Sequence, residues 1–296
     1  MLNRTIRVRV PGTSANCGPG FDAIGVACTI YNDLELTLQK EAGLVIEIEG
    51  EGAGNIPCDE RNIVLRAIRM VLKRAHLEEE VQGFCLRMTN HIPLSRGLGS
   101  SAAAIVAGLK AANALLGNRF SRRDLLQMAT SIEGHPDNAG AAVWGGAILA
   151  WLDGERVELI RLRPAEGLRC LAFVPDLEVL TAGARAVLPD VVARRDAVAQ
   201  AIAAASLPLA LEQRPDLLLP ATRDRLHQFH RSELMPASWT LLRRLREVGV
   251  PATISGAGPT VFAVGMEYQL AASETVEHEG FRRHDLGIGG GVQLLD

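Results

Sequence analysis

Pro93-Leu94-Ser95-Arg96-Gly97-Leu98-Gly99-Ser100-Ser101-Ala102-Ala103-Ala104, running into an Ala/Leu-rich stretch that reaches Ala112, is the segment on which the reading of this 296-residue chain turns. Small residues directly before strong helix formers let a backbone approach a ligand closely, and the first turn of the helix leaves amide N–H groups without carbonyl partners. Those donors, at the positive end of the helix dipole, suit an anion such as phosphate. Taken alone, the segment reads equally well as a tight turn into a core helix. The chain on either side of it decides.

Downstream, the run from Ala102 to Leu116 is apolar nearly all round, which predicts a buried helix stopped at Gly117-Asn118. Ser121 reads as the N-cap of a helix carrying Leu125, Leu126, Met128, Ala129 and Ile132, and Asp137-Asn138 follow Gly134-His135-Pro136 in a second polar loop. Upstream, residues 4 to 10 predict a strand ending at Pro11-Gly12, and residues 13 to 22 a loop of turn formers. Leu34, Leu36 and Leu38, then Leu44, Ile46 and Ile48, alternate with polar residues, as antiparallel strands with one wet face do. Asn62 to Arg74 spaces its apolar positions as an amphipathic helix, and Phe84 to Met88 is a short strand. A shift in composition at Asp153-Gly154-Glu155-Arg156 predicts two domains, 1–153 and 154–296. In the second, Arg169 to Val174 reads as a strand and Ala193 to Ala205 and Ala237 to Gly249 as helices; Thr253 to Val264 reads as strand, glycine turn, strand.

With 48% hydrophobic residues the chain can bury a core in each domain, and a net charge of -3 with 22% charged residues leaves no basic surplus for nucleic acid. The five cysteines, Cys17, Cys28, Cys58, Cys85 and Cys170, form no C-x-x-C pair, which argues for free thiols in a reducing cytoplasm. Arg4, Arg7 and Arg9 alternate with Ile6, Val8 and Val10 as in a strand and unlike the core of a signal peptide, and no apolar run reaches the roughly 18 residues of a membrane span. A cytoplasmic protein with a small, anionic ligand is expected, without nucleic-acid or membrane partners.

Three glycine-rich segments far apart in sequence combine a turn with free backbone donors. Pro11-x-Thr13-Ser14-Ala15-Asn16-x-Gly18-Pro19-Gly20-Phe21-Asp22, Pro93-Leu94-x-x-Gly97-Leu98-Gly99-Ser100-Ser101 and Ser255-Gly256-x-Gly258-Pro259-Thr260 resemble, in order, the three motifs of the GHMP kinases. The long form of the first resembles the branch of that family that phosphorylates the hydroxyl of L-homoserine, a step of threonine biosynthesis. The resemblance implies a two-domain α/β (α+β) fold: an N-terminal ribosomal-S5-domain-2-like α/β domain with the ATP loop, and a C-terminal ferredoxin-like α+β domain whose glycine turn at 255–259 buttresses it. It also implies a cleft site and a homodimer. Its rivals are a related GHMP enzyme for another small alcohol, and a nucleotide-binding regulator of the same fold that has lost catalysis.

What the resemblance implies for single residues is specific. Gly97, Leu98, Gly99, Ser100, Ser101, Ala102 and Ala103 would wrap the triphosphate with backbone N–H groups, Pro93, Leu94, Ser95 and Arg96 would complete the ATP-binding loop, and Asn62 and Val64 would meet adenine. Mg2+, a hard ion that prefers oxygen, would take the hydroxyl of Ser101, or of Ser100, and a carboxylate. Glu133 is the choice for that carboxylate, although other members of this branch carry a glutamate farther upstream, where this chain has Gln127. Asn16, Asp22, His135, Asp137 and Asn138 would surround the acceptor, with Asp22 suited to its ammonium group and Asn138 to the attacking hydroxyl. Asparagine takes no proton, which favours direct attack over general-base catalysis, Asp137 being the alternative base. Thr181 with Arg185, and Arg231, would receive the substrate carboxylate through a guanidinium fork. No lysine lies near the 93–103 loop, so charge neutralisation falls to Mg2+ and the helix N-terminus.

Overall fold

The computed structural model describes residues 2–295. The first half forms β1 (Thr5–Asn16), β2 (Gly20–Gln39), β3 (Gly43–Gly50), α1 (Ile63–Ala75), β4 (Gly83–Asn90), α2 (Ser100–Leu115), α3 (Arg122–Glu133), α4 (Asp137–Trp144), β5 (Ala147–Asp153) and β6 (Arg156–Leu162). The second half holds β7 (Arg169–Pro175), α5 (Thr181–Ala186), α6 (Arg194–Glu212), α7 (Leu218–Ala221), α8 (Pro236–Glu247), β8 (Ala252–Ile254), β9 (Val261–Gly265), α9 (Glu267–Leu270), β10 (Phe281–Gly287) and β11 (Gln293–Leu295).

Two sheets organise these elements. One runs β11-β1-β2-β4-β3, with β5 on β2 and β6 on β5; the other runs β10-β7-β9-β8. Counted along its own domain, the second order is 4-1-3-2, with every neighbour antiparallel. That is the ferredoxin-like arrangement expected. The predicted boundary falls in the turn between β5 and β6, which pair from Asp153–Arg156 to Ala147–Leu162. The sheets part between Leu162 and Arg169, and β11 returns to β1. A run of turn formers marks a hairpin as readily as a domain border, and here it marks a hairpin.

The alternating strands and the amphipathic helices form where the periodicity predicts them, while pairing corrects several readings. β1 does not stop at Pro11. Its register with β2 shifts between Pro11 and Gly12, and this irregularity carries a residue that has no N–H to donate, so the strand continues to Asn16. Only residues 17–19 remain as the connecting loop. β3 pairs with β4 in parallel, not antiparallel, because α1 makes the crossover between them. α6 continues through Pro208 to Glu212, and Asp137-Asn138 open α4 where a loop was expected.

The large core joins the first sheet to α1, α2 and α3 and extends to Cys170, Val174, Leu207 and Phe262 of the second half, so the two domains share a packed interior. α2 is buried nearly all round, from Ala102 to Leu115, as its uniform apolarity requires.

Candidate active site

The glycine loop is positioned by its two neighbours in the sequence pattern. Thr13 N–H donates to the Leu98 carbonyl (2.9 Å), Gly256 N–H to Ala15 (3.0 Å) and Thr260 N–H to Arg96 (3.3 Å). Ser255 Oγ is 2.5 Å from the Gly97 carbonyl and 2.8 Å from Ser14 Oγ. Motifs that begin at residues 11, 93 and 255 are thereby one hydrogen-bonded unit. Two glycines make the contact possible. A Cβ on Gly97 (φ 82°) would lie 2.2 Å from the Ser255 carbonyl oxygen, and one on Gly99 (φ 67°) 1.9 Å from Thr13 Oγ1. Gly99 is the N-cap of α2, and the first intrahelical amide bond is Ala103 N–H to Gly99 C=O (2.9 Å). The amides of Ser100, Ser101 and Ala102 are therefore the unpaired donors, and that of Ala103 is not.

A cleft of about 310 Å³ opens in front of them, the size of a small-molecule site. Leu94, Ser95, Gly97, Gly99, Ser100 and Ser101 line it. Pro93, Arg96, Leu98, Ala102 and Ala103 do not: Leu98, Ala102 and Ala103 are packed in the core, and Arg96 turns to the second domain, donating to the carbonyls of Pro175 and Asp176. Ser101 Oγ donates to Glu133 Oε2 at 2.9 Å. Burial pushes the Glu133 carboxyl above the usual glutamate range, with the Ser101 hydrogen bond acting against the rise. Gln127 is not part of this group. Its Nε2 donates to the Glu155 carbonyl (2.8 Å) and its Oε1 accepts from Val157 N–H (3.0 Å), fastening α3 to β6.

At one end the cleft is lined by Ile56, Asn62, Ile63, Met88, Asn90 and Leu94. Asn62 is there, but its amide is largely spent: Oδ1 caps α1 at Val64 N–H (2.9 Å) and Nδ2 donates to the Pro57 carbonyl (2.8 Å). Val64 faces the core at 1% exposure, and Ile63 takes the predicted apolar position one residue earlier. The sequence reading missed Ile56, Ile63, Met88 and Asn90, for no motif spans a slot built from a loop, a helix start and a strand.

At the other end stand Asn16, Asp22, His135, Asp137, Asn138, Thr181, Arg185 and Arg231. Arg185 and Asp22 form a two-point ion pair, Nη1 to Oδ2 at 2.9 Å and Nη2 to Oδ1 at 2.6 Å. The groups predicted to meet a substrate carboxylate and ammonium thus satisfy each other here. Arg231 is 2% exposed, with Nε on the Ala184 carbonyl (2.9 Å) and Nη1 on the Gly256 carbonyl (3.0 Å) and His227 Nδ1 (3.2 Å). Burial pulls its pKa down to about 10. His227 Nε2 donates to the Gly18 carbonyl at 2.8 Å, leaving Nδ1 as the acceptor for Arg231. Both guanidiniums lie over the Phe21 ring, at 5.5 and 5.4 Å from its centroid. Phe21 and His227, neither predicted to act, are the support for the two arginines.

Asn16 holds the loops: Nδ2 donates to the Gly256 carbonyl (2.8 Å) and Oδ1 accepts from Asp22 N–H (3.0 Å). Asn16, Cys17, Asp22 and Ser95 all adopt positive φ, backbone strain gathered around one cleft. Cys17 is fully buried, and that burial pushes its thiol up to about 12, so a thiol reagent has no thiolate to attack. Asp137 Oδ1 accepts from Asn138 N–H (2.7 Å) and lies 3.2 Å from His135 Nδ1, whose pKa it raises.

Residues 62–146 match the family described as GHMP kinases N terminal domain, and residues 199–276 that described as GHMP kinases C terminal. A homoserine kinase of Cutibacterium acnes is 47% identical, over 99% of this chain and 100% of that protein. One from Streptomyces avermitilis is 45% identical, over 96% and 93%. The crystal structure of homoserine kinase from Cytophaga hutchinsonii superposes with a TM-score of 0.88 at 28% identity, covering 100% of this chain and 98% of that one. With its three glycine motifs locked around one cleft and its likeness running end to end, the chain belongs to the GHMP kinase family, in the homoserine kinase branch.

Proposed function

We propose that this chain transfers the γ-phosphoryl group of ATP to the hydroxyl of L-homoserine. One observation carries the reading: a single cleft holds a nucleotide half, with the free amides of α2 beside the Ser101–Glu133 pair, and an amino-acid half, with Asp22, Arg185, Arg231 and Asn138. Phosphoryl transfer needs positioning and charge stabilisation more than covalent help, and this half-and-half cleft supplies both. ATP triphosphate meets backbone donors at a helix N-terminus, with adenine in the Ile56–Met88 slot. On the other side, substrate exchanges into the Asp22–Arg185 pair, ammonium on the carboxylate and carboxylate on the guanidiniums.

The residues present fit Mg2+. No group of three or more metal-binding side chains occurs among the described residues, but Mg2+ in such enzymes takes one or two carboxylates and completes its shell with phosphate and water. Glu133, a desolvated carboxylate near His135 and Asp137, and the Ser101 hydroxyl are the hard oxygen pair offered. When bound, the ion would neutralise charge on the phosphates, the task left open by the missing lysine. The silent-regulator alternative is weakened, since the Gln127 amide is taken up by the α3–β6 contact and Glu133 stands beside Ser101 as a carboxylate for the ion.

A homodimer accompanies this reading. α6 exposes Val198, Ile202 and Leu209 on one stripe. A two-fold axis running beside α6, level with Ala203 and Ala204, would set Val198 against Leu209, and Arg195 against Glu212, of a second copy.

The experiment is an ADP-release assay with ATP, Mg2+ and, in turn, L-homoserine, L-serine and mevalonate. Turnover with L-homoserine well above the other two is expected. No turnover with L-homoserine would end this reading, and preference for another alcohol would move the chain elsewhere in the family.

A further inference from the structure

The hydroxyl of Thr13 is buried, lies outside the cleft lining, and still touches a residue of the proposed reaction. Thr13 sits in β1 opposite Ala27, at 0% exposure. Its Oγ1 donates to Asn138 Oδ1 at 2.7 Å, across 125 residues of sequence. The space it fills exists because residue 99 has no side chain: a Cβ there would lie 1.9 Å from Thr13 Oγ1 and 3.0 Å from Asn138 Oδ1.

The direction of this bond settles which end of the Asn138 amide faces the cleft. Asn138 Oδ1 is the acceptor of the Thr13 hydroxyl proton. Turning the amide over would bring Nδ2 against Oγ1 and leave a buried hydroxyl proton with no acceptor, an arrangement that folded proteins avoid. Oδ1 is therefore held toward Thr13 and Nδ2 toward the ligand.

We infer that Thr13 is a positioning residue that locks the Asn138 side chain with its N–H groups, and not its carbonyl, toward the acceptor alcohol. The inference rests on the kinase reading above and adds a consequence to it. Asn138 donates to one lone pair of the alcohol oxygen and cannot take its proton. The other lone pair forms the new O–P bond, the bond from the γ-phosphorus to the bridging oxygen breaks with its electrons going to ADP, and the hydroxyl proton leaves for an oxygen of the transferred phosphoryl group or for solvent.

The test uses Thr13→Val, which keeps the shape and removes the hydroxyl, Thr13→Ser, Asn138→Ala, and the double variant Thr13→Val/Asn138→Ala, all as the full chain. Thr13→Val should lower kcat by about 10- to 100-fold, as a misplaced group does, with KM for ATP unchanged. Thr13→Ser should restore most of kcat, and Thr13→Val should have no further effect once Asn138 is alanine. Wild-type kcat in Thr13→Val, no rescue by serine, or losses that multiply in the double variant would each overturn the inference. NMR of the Asn138 side-chain NH2 in the unliganded chain reads the lock without turnover: its signals should broaden or split in Thr13→Val and stay single in Thr13→Ser. Signals unchanged in Thr13→Val would overturn the lock even if the wild type proved inactive, an outcome that by itself removes only the kinase reading.

Discussion

Ser101 Oγ lies 2.9 Å from Glu133 Oε2, so the first turn of α2 and the last turn of α3 meet through one hydrogen bond beside the open amides of the glycine loop. Because burial raises the Glu133 pKa, the carboxylate is protonated at a higher pH than an ordinary glutamate. The Mg2+ concentration giving half-maximal turnover should rise as pH falls toward that value. Glu133→Gln should lose on the order of 10²-fold in activity and the pH effect with it, while Gln127→Ala keeps the wild-type Mg2+ dependence. Mg2+ titrations at several pH values, with ATP saturating, decide the matter.

Gly97→Ala should damage folding and nucleotide binding together. The added Cβ meets a backbone oxygen of Ser255 at 2.2 Å from a positive-φ residue, and neither can give way cheaply. A strained non-glycine conformation alone costs about 1–3 kcal/mol, which lowers the thermal midpoint by about 2–5 °C in a chain this long. Scanning calorimetry and ATP titration should both respond; an unchanged midpoint would contradict the contact.

Arg185→Lys keeps the charge and loses the two-point geometry toward Asp22 and toward a carboxylate. The pair is over one-third exposed at the arginine, so its effect on stability should be under about 1 kcal/mol. Its effect on the amino-acid substrate should be larger, a KM raised about 10- to 100-fold with KM for ATP unaltered. Steady-state kinetics with each substrate varied will separate the two.

His135 gives a pH-dependent term in stability. Its hydrogen bond to Asp137 raises the folded-state pKa above the ordinary histidine value. The contribution is therefore complete below about pH 6.5, the unfolded value, and disappears as pH rises through the folded one. The difference in denaturation midpoint between wild type and His135→Gln should shrink over that rise. A difference that grows with pH would reverse the assignment.

For the proposed α6 pairing, Arg195→Glu and Glu212→Arg should each weaken self-association, and the charge-swapped double variant should recover it, because the proposed two-fold axis would pair these positions with each other. Sedimentation equilibrium reads the dissociation constant. A monomeric wild type, or no recovery in the double variant, would remove the proposed interface.

Much of this molecule was legible in its sequence. Periodicity of two and of about 3.6 located the strands and helices, because burial of one face is a local constraint. The three glycine motifs exposed the ligand cleft, because a close backbone approach permits few residue types, and Asn16, Asp22, Glu133, Asn138 and Arg185 all lie on it. Pairing was less legible. The parallel β3–β4 contact and the passage of β1 beyond Pro11 depend on partners elsewhere in the chain.

The sequence by itself determined which segments could hold an anion, since that follows from residue chemistry and spacing, and its resemblance to the GHMP kinases named the side chains expected to meet an amino acid. Only the tertiary structure decided how they divide the work. It turned Gln127 to β6 and Glu133 to Ser101, put Val64 in the core and Ile63 in the cleft, spent the Asn16 and Asn62 amides on the fold, and brought Thr13 to Asn138. A side chain's direction is fixed by the packing of elements distant in sequence, and that packing is written in no single stretch of the chain.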